Sequence, residues 1–179
     1  RLAKVFEVGL QSCIRAIERC ITVAPVHIIW VPGNHDPHTS FYLCKIIQAY
    51  FRSVEHFSID VSEKTRKYYK YGTNLIGYTH GNEEPTNTLP LLMATEMKKE
   101  WHNSKFLEWH IGHTHKRKEM QFVSADSFGP VRVISLPSLT ATDYWHYSKG
   151  YVGGNRAAEA YLYCKQNGYT AHFNYNITK

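Results

Sequence analysis

A chain of 179 residues suits one domain with a true hydrophobic core, or most of a larger one. Hydrophobic residues at 43% and charged residues at 20% exclude a disordered chain; the lack of periodic glycine or a long apolar run excludes collagen, a coiled coil and a membrane span. Twenty-one Lys and Arg against 15 Asp and Glu leave a formal charge of +6, which favours acidic partners.

Residues 2–22 repeat apolar side chains at helical spacing (Leu2, Val5, Phe6, Leu10, Ile14, Ile17) and predict an amphipathic helix ended by Pro25. Nothing in this start resembles a signal peptide, and no initiator Met is present, so residues are expected upstream of Arg1. Val26–Val31, apolar throughout and flanked by prolines, predicts a strand buried on both faces. Pro32–Pro37 is then a loop at its carboxyl end, and a second helix spans Ser40–Arg52 with Ser40 as N-cap. Strands follow at Val54–Asp60, Thr65–Tyr71 and Asn74–Thr79, then a helix at Leu89–Trp101 and a strand at Phe106–Ile111. Glu119–Ser124 and Val131–Leu136 read as an antiparallel pair. Ala157–Lys165 and Tyr169–Asn176 flank Gln166-Asn167-Gly168, the strongest hairpin signal in the chain. No repeat or linker interrupts this pattern, so 1–179 reads as a single layered α/β domain. The four cysteines, Cys13, Cys20, Cys44 and Cys164, form no C-x-x-C and no disulfide framework; reduced, buried thiols in a cytoplasmic protein are expected.

Three histidine-bearing loops each follow a predicted strand: Gly33-Asn34-His35-Asp36, His80-Gly81 and Gly112-His113-Thr114-His115. Ligand sites in α/β sheets gather at the carboxyl ends of strands, so these loops are placed to converge. Imidazoles and an amide oxygen suit Zn, Fe, Mn or Ni. Gly112 is expected to supply the tight turn that aims His113 and His115. No G-x-S-x-G elbow or cysteine signature offers a covalent nucleophile instead.

In these motifs the chain resembles the calcineurin-like metallophosphoesterases, whose pattern runs D-x-H, G-D-x-x-D, G-N-H-D/E, a histidine followed by Gly, and G-H-x-H. The last three elements match over residues 26–115. The resemblance implies a four-layer α/β/β/α sandwich, incomplete at the N-terminus, and metal-dependent hydrolysis of a phosphomonoester or phosphodiester. It implies two divalent metal ions, with Asn34, His80 and His113 as ligands of one and His115 of the other. It makes His35 the group that stabilises the phosphoryl transition state or protonates the leaving oxygen, with Asp36 orienting its imidazole. Two cations serve such a reaction by activating water and neutralising the attacking and departing oxygens.

The first two motifs are missing: none of the four Asp (36, 60, 126, 143) begins a D-x-H, and no Gly-Asp dipeptide occurs. Either the chain is the C-terminal part of a longer enzyme or it is a degenerate, non-catalytic relative, and six intact groups favour the former. By itself the chain is expected to hold at most one cation, to be weakly active or inactive, and to self-associate through an uncovered sheet edge.

Two basic clusters, Lys116-Arg117-Lys118 and Lys64, Arg66, Lys67 and Lys70, offer a nucleic-acid-binding alternative, with Tyr68, Tyr69 and Tyr71 as stacking residues. Solvated turns explain them as well. A phosphorylated small molecule or nucleic acid is thus the expected substrate, with no membrane partner. Residues 136–154 loosely resemble the tail of phage- or prophage-encoded members of the family, and His146 and Lys149 there are candidates for a cleft wall. His27, His56, His102, His110 and His172 read as structural, His38 as borderline, and Glu83-Glu84 as a surface loop.

Overall fold

The computed structural model describes residues 2–114, 118–122, 130–139 and 156–177, a mixed α/β chain in two compact units, Arg1–Thr65 and Arg66–Lys179. Among the described residues no helix is long and apolar enough to cross a membrane. His115, Lys116, Arg117, Asp126, Asp143, His146 and Lys149 lie outside the described residues.

The first unit contains α1 (Leu2–Ile21), β1 (Val26–Ile29), α2 (Pro37–Tyr50) and β2 (Phe57–Asp60). Leu10, Ile14 and Ile17, spaced i, i+4, i+7 along α1, bury one stripe against Ile47 and Phe51. Val26, Ile28, Phe57 and Ile59 pack on that cluster from β1 and β2, which pair in parallel from Val26↔Phe57 to Ile29↔Asp60. Contrary to expectation, β1 is not buried on both faces. Its partner among the described strands is β2, and His27, the one exposed residue of the strand, bonds Ser58 Oγ at 2.7 Å across the pair.

Helix α2 also begins earlier than expected, with Asp36 rather than Ser40 at the N-cap. Pro37 explains the shift: its fixed φ and missing N–H suit the first helical position. Ser40 instead ties the helix to the strand, donating to the Asp36 carbonyl (2.8 Å) and accepting from Trp30 Nε1 (3.1 Å). All four thiols are free, but only Cys44 is buried, and Cys20 is exposed near the end of α1. Burial, reinforced by nearby Cys13, pushes the Cys44 thiol up.

The second unit contains β3 (Lys67–Tyr71), β4 (Asn74–Thr79), α3 (Leu89–Glu96), α4 (Lys98–His102), β5 (Phe106–Ile111), β6 (Lys118–Phe122), β7 (Val131–Ser135), β8 (Ala157–Cys164) and β9 (Gly168–Asn176). Five strands form one sheet in the order β3-β4-β5-β7-β6, with β4, β5 and β7 parallel and the two outer strands antiparallel. The expected helix over Leu89–Trp101 is two helices, because Met97 leaves helical geometry at φ −120°, ψ 44°. The break lets both Met97 and Trp101 pack on the core.

That core lies on one sheet face, where Leu75, Leu107, Trp109 and Val133 meet Leu89 and Met93 of α3. Trp109 is fully buried and donates from Nε1 to the Leu89 carbonyl at 3.0 Å. A Cβ at Gly77 would stand 2.6 Å from the Trp109 ring, so position 77 must lack a side chain. The opposite face, with Asn74, Glu108, His110 and Arg132, is covered by the β8–β9 hairpin. Thr73 and Asn74 bond the hairpin's Lys165 and Cys164 carbonyls (2.7 and 2.9 Å). At the turn Gly168 has φ +80°, and a Cβ there would strike the Phe106 ring at 2.7 Å.

Candidate functional site

His80 follows the last residue of β4 and Gly112-His113 follow β5. These strands are adjacent and parallel, in register from Asn74↔Phe106 to Thr79↔Ile111, so their carboxyl ends bring the two loops side by side. The Gly112 N–H donates to the His80 carbonyl at 3.0 Å, and the two imidazole rings lie edge to face with centroids 5.2 Å apart. Two residues of the expected ligand set are thereby paired.

The tight turn falls one residue later than expected. His113, not Gly112, adopts the left-handed conformation, with φ +62°. Such a residue costs about 1–3 kcal/mol unless its surroundings hold it, and strain of this kind gathers at functional loops. Thr114 supplies part of that hold, with its N–H on the Gly112 carbonyl (2.8 Å) and its hydroxyl 2.8 Å from Ser135 Oγ. Gly81, at φ +89°, performs the matching turn after His80.

Asn34, His35 and Asp36 occupy the exposed loop between β1 and α2 in the first unit, so the carboxyl end of β1 carries them as expected. Among the described residues no three His, Cys, Asp or Glu side chains converge to hold a metal ion. His80 and His113 are neighbouring imidazoles, the residue type that borderline cations such as Zn, Mn, Fe or Ni take.

The expectation for Glu83-Glu84 needs correction. Glu83 is exposed, but the Glu84 side chain is 9% exposed and clamped. Its Oε1 accepts from Arg66 Nη1 at 2.6 Å and its Oε2 from Thr79 Oγ1 at 3.2 Å. Arg66 also donates to Glu96 on α3, from Nη2 at 2.6 Å and Nε at 2.9 Å, and both carboxylates raise its guanidinium above the ordinary value. The clamp braces the segment after His80 against β3 and α3.

Part of the second basic cluster is taken up by partners within the fold, while Lys64 is exposed. Arg66 is neutralised, Lys67 is 3% exposed, and Lys70 donates to the Asn103 carbonyl at 2.9 Å. Tyr68 is packed edge-on to Trp109 and bonded to Glu96, with little ring left to stack a base. The reason is strand alternation: consecutive cationic residues of β3 go to opposite faces, where separate partners take them.

A buried charge network escaped the sequence pattern. Glu108 and Arg132 are opposed residues of β5 and β7. Arg132 Nε donates to Glu108 Oε2 at 2.6 Å; His110 Nε2 lies 2.5 Å from Oε1, which also accepts from the Tyr163 hydroxyl. Burial works to raise the Glu108 carboxyl, but donation from His110, Arg132 and Tyr163 outweighs it and holds the group below its ordinary value. His110, expected to be structural, is so as part of this network. The available signal was opposite charge in two otherwise apolar strands.

The same face carries two tyrosines with raised pKa values. Burial, with Glu108 and Tyr69 nearby, pushes Tyr78 up to about 12, and burial beside Glu108 raises Tyr163 further. A folded pKa raised above the ordinary value near 10 contributes stability below pH 10 that is lost as pH climbs toward the folded value. For Tyr78 the loss is about 2 kcal/mol between pH 10 and 12. Circular dichroism should therefore fall cooperatively with tyrosinate absorbance in that window; tyrosines that all ionise near pH 10 with the fold intact would contradict it.

No model of a known protein family matches the chain, and no curated protein matches it.

Proposed function

We propose that the chain serves metal-dependent phosphoester hydrolysis in a metallophosphoesterase-type α/β/β/α sandwich, with His80 and His113 holding a divalent cation. The observation that carries this reading is the pairing of the two imidazoles at the carboxyl ends of β4 and β5, with a left-handed His113 that only a braced loop retains. A cation bound there would polarise a phosphoryl oxygen and lower the pKa of water. Glu84 and Arg66 keep the segment after His80 in place, and Thr114 with Ser135 does the same after Gly112. Asn34 as a further ligand, His115 as a ligand of a second cation, His35 as proton donor and Asp36 as its orienter are the roles the motif resemblance assigns.

Calorimetric titration with Mn²⁺ or Zn²⁺ tests the pair. One weak site is expected, with affinity reduced at least about 10-fold in His80→Ala and in His113→Ala. Any hydrolysis of p-nitrophenyl phosphate and its bis-ester by this chain should be weak, metal-dependent and lost in the same two variants. Binding that survives both substitutions would sink the assignment; two tight sites would overturn the expectation that this chain holds at most one cation.

A further inference from the structure

Two thiols of the first unit lie on the packed faces of neighbouring helices. On α1, Cys13 is three residues after Leu10 and four before Ile17, so it shares their stripe and packs on the core of the unit. On α2, Cys44 is buried, three residues before Ile47 and seven before Phe51, on the stripe that meets α1.

The helices also set the two at one level. β1 and β2 are parallel and start together at Val26↔Phe57, and short connections lead into them from the ends of α1 and α2. Both helices therefore finish at the same end of the strand pair and run the same way. Near that end the Tyr50 hydroxyl donates to Glu18 Oε1 at 3.2 Å. Cys13 is five residues before Glu18, and Cys44 is six before Tyr50. At about 1.5 Å per residue the two cysteines differ by only about 2 Å along the helix axes. A disulfide asks for Cα atoms about 4.4–6.8 Å apart, a separation that packed helices reach where both present a small side chain. Their proximity shows independently in the Cys44 thiol, which Cys13 helps burial to push up. Cys20 is exposed and about 10 Å beyond Cys13 along the same helix, too far to bridge to it.

We propose that Cys13 and Cys44 are a redox pair that closes to a disulfide and staples α1 to α2. Cys13, the less buried of the two, is the entry point. Its thiolate attacks one sulfur of oxidised glutathione and expels the other as a glutathione thiolate. Cys44 Sγ then attacks Cys13 Sγ in the mixed disulfide and releases the second glutathione. The two protons given up by the cysteines end on the two glutathiones released, and the glutathione disulfide takes up both electrons. The closed loop contains β1, Asn34-His35-Asp36 and the first two turns of α2, so oxidation ties all three to α1. No step of this involves a cation at His80 and His113.

Incubation of the full chain, without denaturant, in glutathione buffers made progressively more oxidising tests the pair. Acid-quenched samples should lose the mass of two hydrogens and give a cross-linked Cys13–Cys44 peptide in a non-reducing digest; dithiothreitol should reverse both. Amide exchange around Ile14 and Ile47 should slow at least about tenfold in the oxidised form. Cys13→Ser and Cys44→Ala should each abolish the two-hydrogen loss, whereas Cys20→Ser should leave it. The cross-linked peptide is read on the parent chain, so it does not depend on how well the variants fold. Glutathione adducts alone, a cross-link through Cys20 or Cys164, or a two-hydrogen loss that survives Cys13→Ser would overturn the proposal. A Cys13–Cys44 bond that leaves exchange in both helices unchanged would do so too.

Discussion

Arg132→Met is expected to destabilise the second unit by about 3–5 kcal/mol at pH 7. The side chain removed is the main counter-charge to Glu108, a carboxylate whose side chain is 8% exposed. Without the guanidinium, His110 and Tyr163 alone oppose burial, so the carboxyl's pKa rises from its depressed value. The stability that the parent's depressed carboxyl contributes is itself lost as pH falls through its folded pKa, so the loss relative to the parent should begin to shrink near pH 4. The double variant Glu108→Leu/Arg132→Met separates net worth from broken pairing. It should recover most of the loss, because a buried ion pair exchanged for apolar side chains is often neutral or stabilising. Urea unfolding of the three variants at pH 4 and pH 7 measures all of this. A single variant as stable as the parent at pH 7 would mean that water or another cation reaches Glu108.

Trp109→Ala is expected to cost about 3–5 kcal/mol, the usual range for emptying a buried aromatic site. Trp109 is 0% exposed, touches Tyr68 with ring centroids 5.3 Å apart, and gives the Leu89 carbonyl its side-chain donor. Since Leu89 begins α3, the substitution loosens the β4–α3 connection that carries His80 and Glu84. Cation affinity should therefore drop along with stability, whereas Trp109→Phe, which keeps most of the volume, should spare both better. Gly77→Ala attacks the same contact from the other side, at about 1–3 kcal/mol for overpacking. If Trp109→Ala unfolds with the parent's urea midpoint, the packing account of this face is wrong.

Elements governed by local pattern were legible in the chain alone. The period of Leu10, Ile14 and Ile17 located α1, β5 spans Phe106–Ile111 as expected, and Asn167-Gly168 placed the hairpin. The spacing of histidines after apolar runs located His80 and His113, because a side chain just past a parallel strand has few places to go. What local pattern could not supply was partner identity. Glu108 and Arg132 are 24 residues apart and Arg66 and Glu96 are 30 apart, so their attraction enters only when the fold sets strand beside strand and helix α3 beside the start of β3. Lys67 and Lys70 looked like one basic face until the pleat divided them.

The chain's own order of residues thus determined which segments curl, which extend, and that imidazoles stand at two strand ends. Tertiary structure decided which charges are buried and which loop is braced. The reason is range: helix and turn preferences act over a few residues, whereas desolvation and ion pairing depend on what the folded chain brings within a few ångströms.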